Sequence, residues 1–361
     1  MTGPALLWPG AAPDDPEDST APPAGGADDG ALAPRLAAAV DAVDAPDAVF
    51  ALSLGGRRLV RCGGTAPPPA VPRDELRYEI GSATKTFTAT LLTELTAHGA
   101  VSGSEPAAGL LAPGRPGRAS PATLAHLITH TAGLPALPAD FPLRALPAWR
   151  TNPYGRYPAE RVVDAFLRHR SRRRPGTRWH YSNFGVAVLG HALAAATHTP
   201  WDDLVRARLL RPLGLGNTAL APTGDGLDAT GHGKDGRTPV PAFDAGGFQA
   251  AGALRATPHD LLTFLEAHLR PGESPLADAL RAARRPVLRR GLGHRHVHTV
   301  AWFRHPVSGG GMYFHSGATL GQQAFLGFRP DTATALVAVC TRRFRANDPF
   351  VSTAYGLLAE L

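Results

Sequence analysis

Two rhythms of apolar residues alternate along this chain. From Ala31 to Val43 they recur every three or four positions, at Leu32, Leu36, Val40 and Val43, the spacing of one helix face. The runs Ala48–Leu54 and Arg58–Cys62 flank Gly55-Gly56, and short apolar runs around paired glycines predict a β-hairpin. A proline-rich stretch over 67–72 follows. Helical spacing resumes from Ser82 at Phe87, Leu91, Leu92 and Leu95, and Gly99 is the expected stop. Ser120-Pro121 ahead of Leu124, Leu127 and Ile128 predicts a helix with a serine cap and a first-turn proline, ending at Gly133. Further helices are expected at 158–167, 186–196 and 201–210, and 250–254 with 258–269 repeats a loop-then-helix pattern. The end of the chain differs in kind. Residues 299–303, 311–314, 323–328 and 334–341 read as strands, Arg329-Pro330-Asp331 as a turn, and 349–361 as a closing helix.

Strands near both ends with helices between them predict an α+β fold: a sheet built from the two termini, flanked by helices, with a mainly helical insertion from the middle. The expected organisation is an acidic tail over 1–33 and one domain over 34–361. Residues 34–105 and 250–361 form its α/β part and 106–249 its helical part.

Composition narrows the partners. The net charge of +7 and pI near 10 raise nucleic acid or an anionic membrane as candidates. The basic residues read as scattered arginines, aromatic content is only 7%, and no nucleic-acid motif interleaves them, so neither partner is expected. No run of about 18 apolar residues exists to span a bilayer. The first thirty residues combine Asp14, Asp15, Glu17, Asp18, Asp28 and Asp29 with Pro, Gly and Ala and lack a basic start, which predicts a disordered tail and a cytoplasmic protein. Cys62 and Cys340 are too few for a metal knuckle and are expected to be small buried residues, with one disulfide between them left open.

The candidate chemistry starts from lysine. Of 37 lysines and arginines only Lys85 and Lys234 are lysine. A guanidinium stays protonated, whereas a desolvated ammonium can lose its proton, so a task that needs a neutral amine cannot pass to Arg. Lys85 stands three residues after Ser82, a Ser-x-x-Lys pattern suited to a serine nucleophile with a lysine base. If Ser82 opens a helix, its N–H is a free donor for an oxyanion, and the positive helix end joins burial in favouring the neutral amine. Tyr181-Ser182-Asn183 adds a phenol able to pass a proton and an amide that both donates and accepts, although a buried tyrosine beside a helix cap would look the same. His315-Ser316-Gly317 adds a strand edge where glycine admits a ligand backbone, with the Ala318 N–H as a second oxyanion donor.

Ser-x-x-Lys, Tyr-x-Asn and His-x-Gly, in that order, resemble the penicillin-recognising serine hydrolases: class C β-lactamases, serine D-alanyl-D-alanine carboxypeptidases and related esterases. Leu127–Pro135 (LITHTAGLP) and Arg211–Thr218 (RPLGLGNT) are similar to further stretches of that family, Gly247–Thr257 more loosely, and the resemblance spans about residues 35–361. It implies a β-lactamase/transpeptidase-like fold with an antiparallel sheet. It also implies Ser82 as acylated nucleophile, Lys85 as its base, Tyr181 as proton shuttle, Asn183 as the group holding Lys85 and a substrate amide, and residues 315–318 as the substrate-binding strand. His315 stands where β-lactamases carry lysine; a largely neutral side chain there argues against a carboxylate anchor and for an esterase or amidase acting on a small acyl substrate. A D-alanyl carboxypeptidase or β-lactamase, acyl transfer on the same scaffold, and a non-catalytic binding protein stay open as alternatives. No cofactor or metal is expected. The alternation His294, His296, His298 could place three imidazoles on one strand face, but reads first as an exposed polar face. The run Arg168–Arg174 reads as a solvated loop or a basic rim of the cleft, and Lys234 as solvent-facing.

Overall fold

A computed structural model describes residues 29–361 except 115–119, 150, 172 and 291–295. Strand β1 (Ala48–Leu54) and β2 (Arg57–Gly63) form the expected hairpin. Its two-residue turn needs positive φ at both central positions, which Gly55 and Gly56 supply at +60° and +90°. Two short strands far apart in the chain, β3 (Tyr78–Glu79) and β4 (Arg255–Ala256), pair with each other in a small second sheet. The C-terminal part adds β5 (Pro286–Arg290), β6 (His296–Thr299), β7 (Phe303–Val307), β8 (Gly310–Ala318), β9 (Gln323–Arg329) and β10 (Thr334–Cys340). The main sheet runs β2-β1-β10-β9-β8-β7-β6-β5, antiparallel throughout, so the two chain ends meet where β1 pairs with β10.

Period-two alternation sorts the side chains of this sheet into two cores. Phe50, Leu52, Phe325, Leu336 and Ala338 face helices α1 (Asp29–Asp41) and the C-terminal helix. Val49, Ala51, Leu326, Phe328, Val337 and Val339 belong to the larger core on the opposite face. Because both faces are covered, β9 and β10 are buried at every position. At the centre of the larger core lies α2 (Thr84–Ala97), buried from Thr84 to Leu95. Its threonines are satisfied by backbone groups: Thr84 Oγ1 accepts from the Leu254 N–H at 3.1 Å, Thr88 donates to Ala250 O at 2.7 Å and Thr93 to Ala279 O at 2.9 Å. The remaining helices are α3 (Ala107–Leu111), α4 (Leu124–Ile128), α5 (Phe141–Ala145), α6 (Ala159–Arg168), α7 (Asn183–Thr197), α8 (Trp201–Val205), α9 (Gln249–Gly252), α10 (Pro258–Leu269), α11 (Ala277–Arg284) and α12 (Phe350–Glu360). Phe264 of α10 stacks on Phe87 of α2 with ring centroids 3.9 Å apart, tying α10 to the central helix.

Several expectations change. Residues 299–303 are a reversal between β6 and β7: Thr299 Oγ1 accepts from the Trp302 N–H at 2.8 Å, and β5 is an additional strand beyond β6. The cap of α4 is Thr123, not Ser120, because 122–123 pairs with 106–107 in extended form; Thr123 Oγ1 accepts from the His126 N–H at 3.3 Å. Cys62 is exposed, and β1 separates it from the buried Cys340, so two strand spacings of roughly 5 Å each rule out the bridge; both thiols are free. Of the expected disordered tail over 1–33, residues 29–33 instead open α1, with Leu32 buried at 6% exposure, while residues 1–28, His294 and Arg172 lie outside the described residues.

Candidate active site

The site begins at a close approach between a turn and a strand. Gly81 (φ +50°) opens the single 3-10 turn Gly81–Ala83 that leads into α2. A Cβ on Gly81 would stand 2.5 Å from Ala318 O, and one on Gly317 only 1.9 Å from Ile80 O and 2.7 Å from the Ser82 N. Two glycines facing each other therefore let the turn carrying Ser82 press against β8, bringing the backbone of Ser82 beside that of Ala318.

Lys85, the second residue of α2, lies one turn after Ser82 and is 3% exposed. Its Nζ donates to Ser82 Oγ at 3.1 Å and to the carbonyl oxygen of Ala251 at 2.8 Å, and stands 5.1 Å from the centroid of the Tyr181 ring. Burial pulls its pKa below the ordinary lysine value, and the Tyr181 hydroxyl, which would favour the charged form, only partly opposes this. Among the described residues no carboxylate is within ion-pair distance of Nζ.

Tyr181-Ser182-Asn183 divides its labour at the head of α7. Ser182 is the N-cap: its Oγ accepts from the Gly185 N–H at 2.8 Å and donates to Pro135 O at 2.6 Å. Tyr181 points to Lys85, with its ring against His130 at 4.5 Å between centroids. His130 has φ +59° and is buried; its Nδ1 accepts from the Ser182 N–H at 3.3 Å, which locks the ring that braces Tyr181. Asn183 does not bond Lys85; its Nδ2 donates to the Tyr154 hydroxyl at 3.3 Å, and its Oδ1 is buried with no protein partner. The second ligand of Lys85 is the Ala251 carbonyl instead.

Residues 315–318 occupy the end of β8 that extends past β7. Phe303 pairs with Phe314, whereas His315 to Ala318 pair with β9 alone, leaving one edge open for an extended ligand backbone. His315 is 5% exposed and stacks on Phe303 at 5.1 Å. Its Nδ1–H donates to Ser316 O at 2.8 Å. Burial, and then the nearby Lys85, push its pKa down to about 3, so it is neutral. His315, His130 and His298 line a small compartment behind Lys85, away from Ser82. His298 is thus buried against Trp179 at 5.1 Å rather than on an exposed polar face, and among the described residues no cluster could hold a metal.

On the other side Ser82 opens into a cleft of about 140 Å³ lined by Gly81, Asn183, Ala251, Gly252, the edge residues Ala318–Leu320 and three aromatic rings. Tyr154 meets Phe243 at 5.5 Å and Phe248 at 5.2 Å to form that wall.

The family model for beta-lactamase matches residues 33–360. The chain belongs to the beta-lactamase family. It is 31% identical to a beta-lactamase of Pseudomonas fluorescens over 57% of this chain and 54% of that protein. It is 27% identical to the D-alanyl-D-alanine-carboxypeptidase/endopeptidase AmpH of Escherichia coli K12 over 60% of this chain and 55% of that protein. The chain thus spans about half the length of the curated relatives it matches. Among solved structures, a class C beta lactamase from Rhodobacter sphaeroides superposes with a TM-score of 0.76 over 91% of this chain and 99% of that one, at 22% identity, a likeness of fold.

Within this beta-lactamase-family fold, some site residues escaped the sequence reading. Gly81 was legible only as part of a motif, since its opposition to Gly317 joins segments 236 positions apart. His130 stood within the quoted LITHTAGLP stretch without a role. Tyr154, Phe243 and Phe248 carry no local signal, because an aromatic ring in a loop looks the same whether it lines a cleft or fills a core.

Proposed function

We propose that this chain is a serine acyl hydrolase of the esterase or amidase type, acting through a covalent acyl-Ser82. One observation carries the reading: a buried amine without a carboxylate partner, 3.1 Å from a serine hydroxyl at the floor of a cleft. Neutral Lys85 accepts the hydroxyl proton as Ser82 Oγ bonds to the carbonyl carbon. The N–H groups of Ser82 and Ala318 are the donors for the resulting oxyanion. Collapse expels the alcohol or amine, which leaves with a proton relayed from Lys85 through the Tyr181 hydroxyl. Water then attacks the acyl-enzyme, giving its proton back to the same pair and releasing the acid. Asn183 Oδ1, buried and unpartnered, is available to a substrate N–H.

The lining favours neutral substrates. None of the residues around the cleft is Lys or Arg, and His315 is neutral and faces the other compartment. The rings of Tyr154, Phe243 and Phe248 suit a small apolar acyl group. A p-nitrophenyl ester series is therefore expected to be turned over faster than nitrocefin or a D-alanyl peptide, both of which carry a carboxylate. The direct test is a fluorophosphonate probe followed by peptide mass mapping. Label on Ser82 is expected, and folded protein that takes up none would sink the reading.

A further inference from the structure

Helix α5 and the turn that continues it are apolar on both sides. Phe141, Ala145 and Ala148 point inward, at 1%, 1% and 9% exposure, and Phe141 packs on Tyr154 at 5.2 Å and on Phe248 at 5.7 Å, directly behind the cleft wall. A surface helix with that inner face is expected to be polar outside. Here the outer positions are Leu143, Leu146 and Trp149, three apart, at 79%, 69% and 51% exposure. Among the described residues only Phe344, at 53%, is a comparably exposed large apolar side chain. Such a patch on a water-facing surface marks a contact site.

The segment that carries the patch also concentrates charge, which corrects the reading of scattered arginines: Arg144 lies on α5, and Arg168 and Arg170 share a groove with Asp140 at its start. Residues 136–180 hold ten arginines against Asp140, Glu160 and Asp164, a net of +7 that equals the charge of the entire chain; the rest sums to zero. Arg144, Arg156, Arg168, Arg173, Arg174 and Arg178 are all exposed. Arg144 and Arg168 have local carboxylate partners, Asp140 and Asp164, both at 3.2 Å in exposed pairs that contribute little.

We propose that this face seats on an anionic lipid surface. Leu143, Leu146 and Trp149 enter the boundary between headgroups and acyl chains, and the arginines meet the lipid phosphates. Charge complementarity selects this occupant. A second copy of the chain would bring two strongly basic faces together. A nucleic acid would use the arginines but leave two exposed leucines against a polar backbone. The seat lies on the segment that supplies Tyr154 to the cleft, so docking would hold the cleft next to apolar acyl compounds dissolved in the lipid. Binding itself does not depend on the hydrolase reading.

The test is co-sedimentation of the full chain with vesicles of phosphatidylglycerol and, separately, of phosphatidylcholine. Binding to phosphatidylglycerol is expected, weakening as salt rises, with far less binding to phosphatidylcholine. The triple variant Leu143→Ser, Leu146→Ser, Trp149→Ser should lower vesicle affinity by about tenfold or more while thermal unfolding and labelling of Ser82 by a soluble fluorophosphonate stay as in the parent. Three results would each overturn the proposal: no binding to phosphatidylglycerol vesicles, a triple variant that binds as well as the parent, or tighter binding to a duplex oligonucleotide than to the vesicles at equal salt.

Discussion

Arg255 and Lys85 are both cations by sequence and both buried, at 1% and 3% exposure, yet their surroundings are opposite. Arg255 lies 3.5 Å from Glu79 and 3.3 Å from Asp228, and Asp228 also meets Arg77 at 3.4 Å. Lys85 meets a hydroxyl, a carbonyl oxygen and a tyrosine ring. A guanidinium cannot shed its proton, so burying one calls for carboxylates; an amine buried where none exists has its pKa drawn down instead. The two regions also cooperate. Glu79 accepts from the Phe243 N–H at 2.7 Å and from Thr319 Oγ1 at 2.5 Å, so the ion cluster ties together two walls of the cleft onto which Ser82, the partner of the unpaired amine, opens. Charge that stays builds the site, and charge that leaves does the proposed chemistry.

The sharpest way to break this contrast is Lys85→Arg, which restores a permanent cation where no anion waits; kcat/KM for an ester substrate should fall by about 10³-fold or more. Activity near that of the parent would mean that basicity at this position is irrelevant. Gly317→Ala places a methyl 1.9 Å from Ile80 O, forcing β8 off the turn of Ser82. Turnover should drop by about 10² to 10³ with circular dichroism preserved, as expected when oxyanion donors separate. Glu79→Gln attacks the other region: it leaves Arg255 short of countercharge and should lower unfolding stability in urea by about 3 kcal/mol. Tyr181→Phe keeps the ring against His130 and removes only the hydroxyl, for a loss of about 10² in kcat with stability nearly unchanged.

The smallest effect sharpens the comparison through pH. His315 has a pKa near 3 in the fold and about 6.5 in the unfolded chain, and burial also holds His130 and His268 well below the usual value. For His315 the unfolded chain binds more protons between these values, so the stability its neutral imidazole contributes is complete above about pH 6.5 and is lost as pH falls from there toward about 3, and His130 and His268 act in the same direction. Chemical denaturation followed at several pH values should show that slope. Turnover, by contrast, should rise with pH as the Lys85 amine deprotonates, below the ordinary lysine range, with no inflection from His315 near 6.5.

Much of the molecule was legible in its sequence because the signals are local. Gly55-Gly56 between apolar runs is a hairpin wherever it occurs, and Ser82 with Lys85, or Tyr181 with Asn183, read as pairs because one helical turn or cap relates them. Failures fell where a distant segment intervened. Thr299–Phe303 has strand composition but reverses, because Thr299, which ends β6 against Pro286 of β5, bonds Trp302 across a turn. His298 looked like part of an exposed alternating face and is buried because Trp179 and Phe303 cover it. The arginines looked scattered along the line of letters and gather once counted against position.

Residue identity alone determined that an amine, a hydroxyl, a phenol and an amide were present at workable spacings, and that both ends of the chain would make sheet. These follow from backbone geometry within a few residues. Only the tertiary structure decided that Lys85 would be dry and without a counter-ion, that Gly81 and Gly317 would let turn and strand touch, and that three loop aromatics would wall the cleft. Desolvation and close approach are properties of what surrounds a group, and here the surroundings come from segments far apart in the chain.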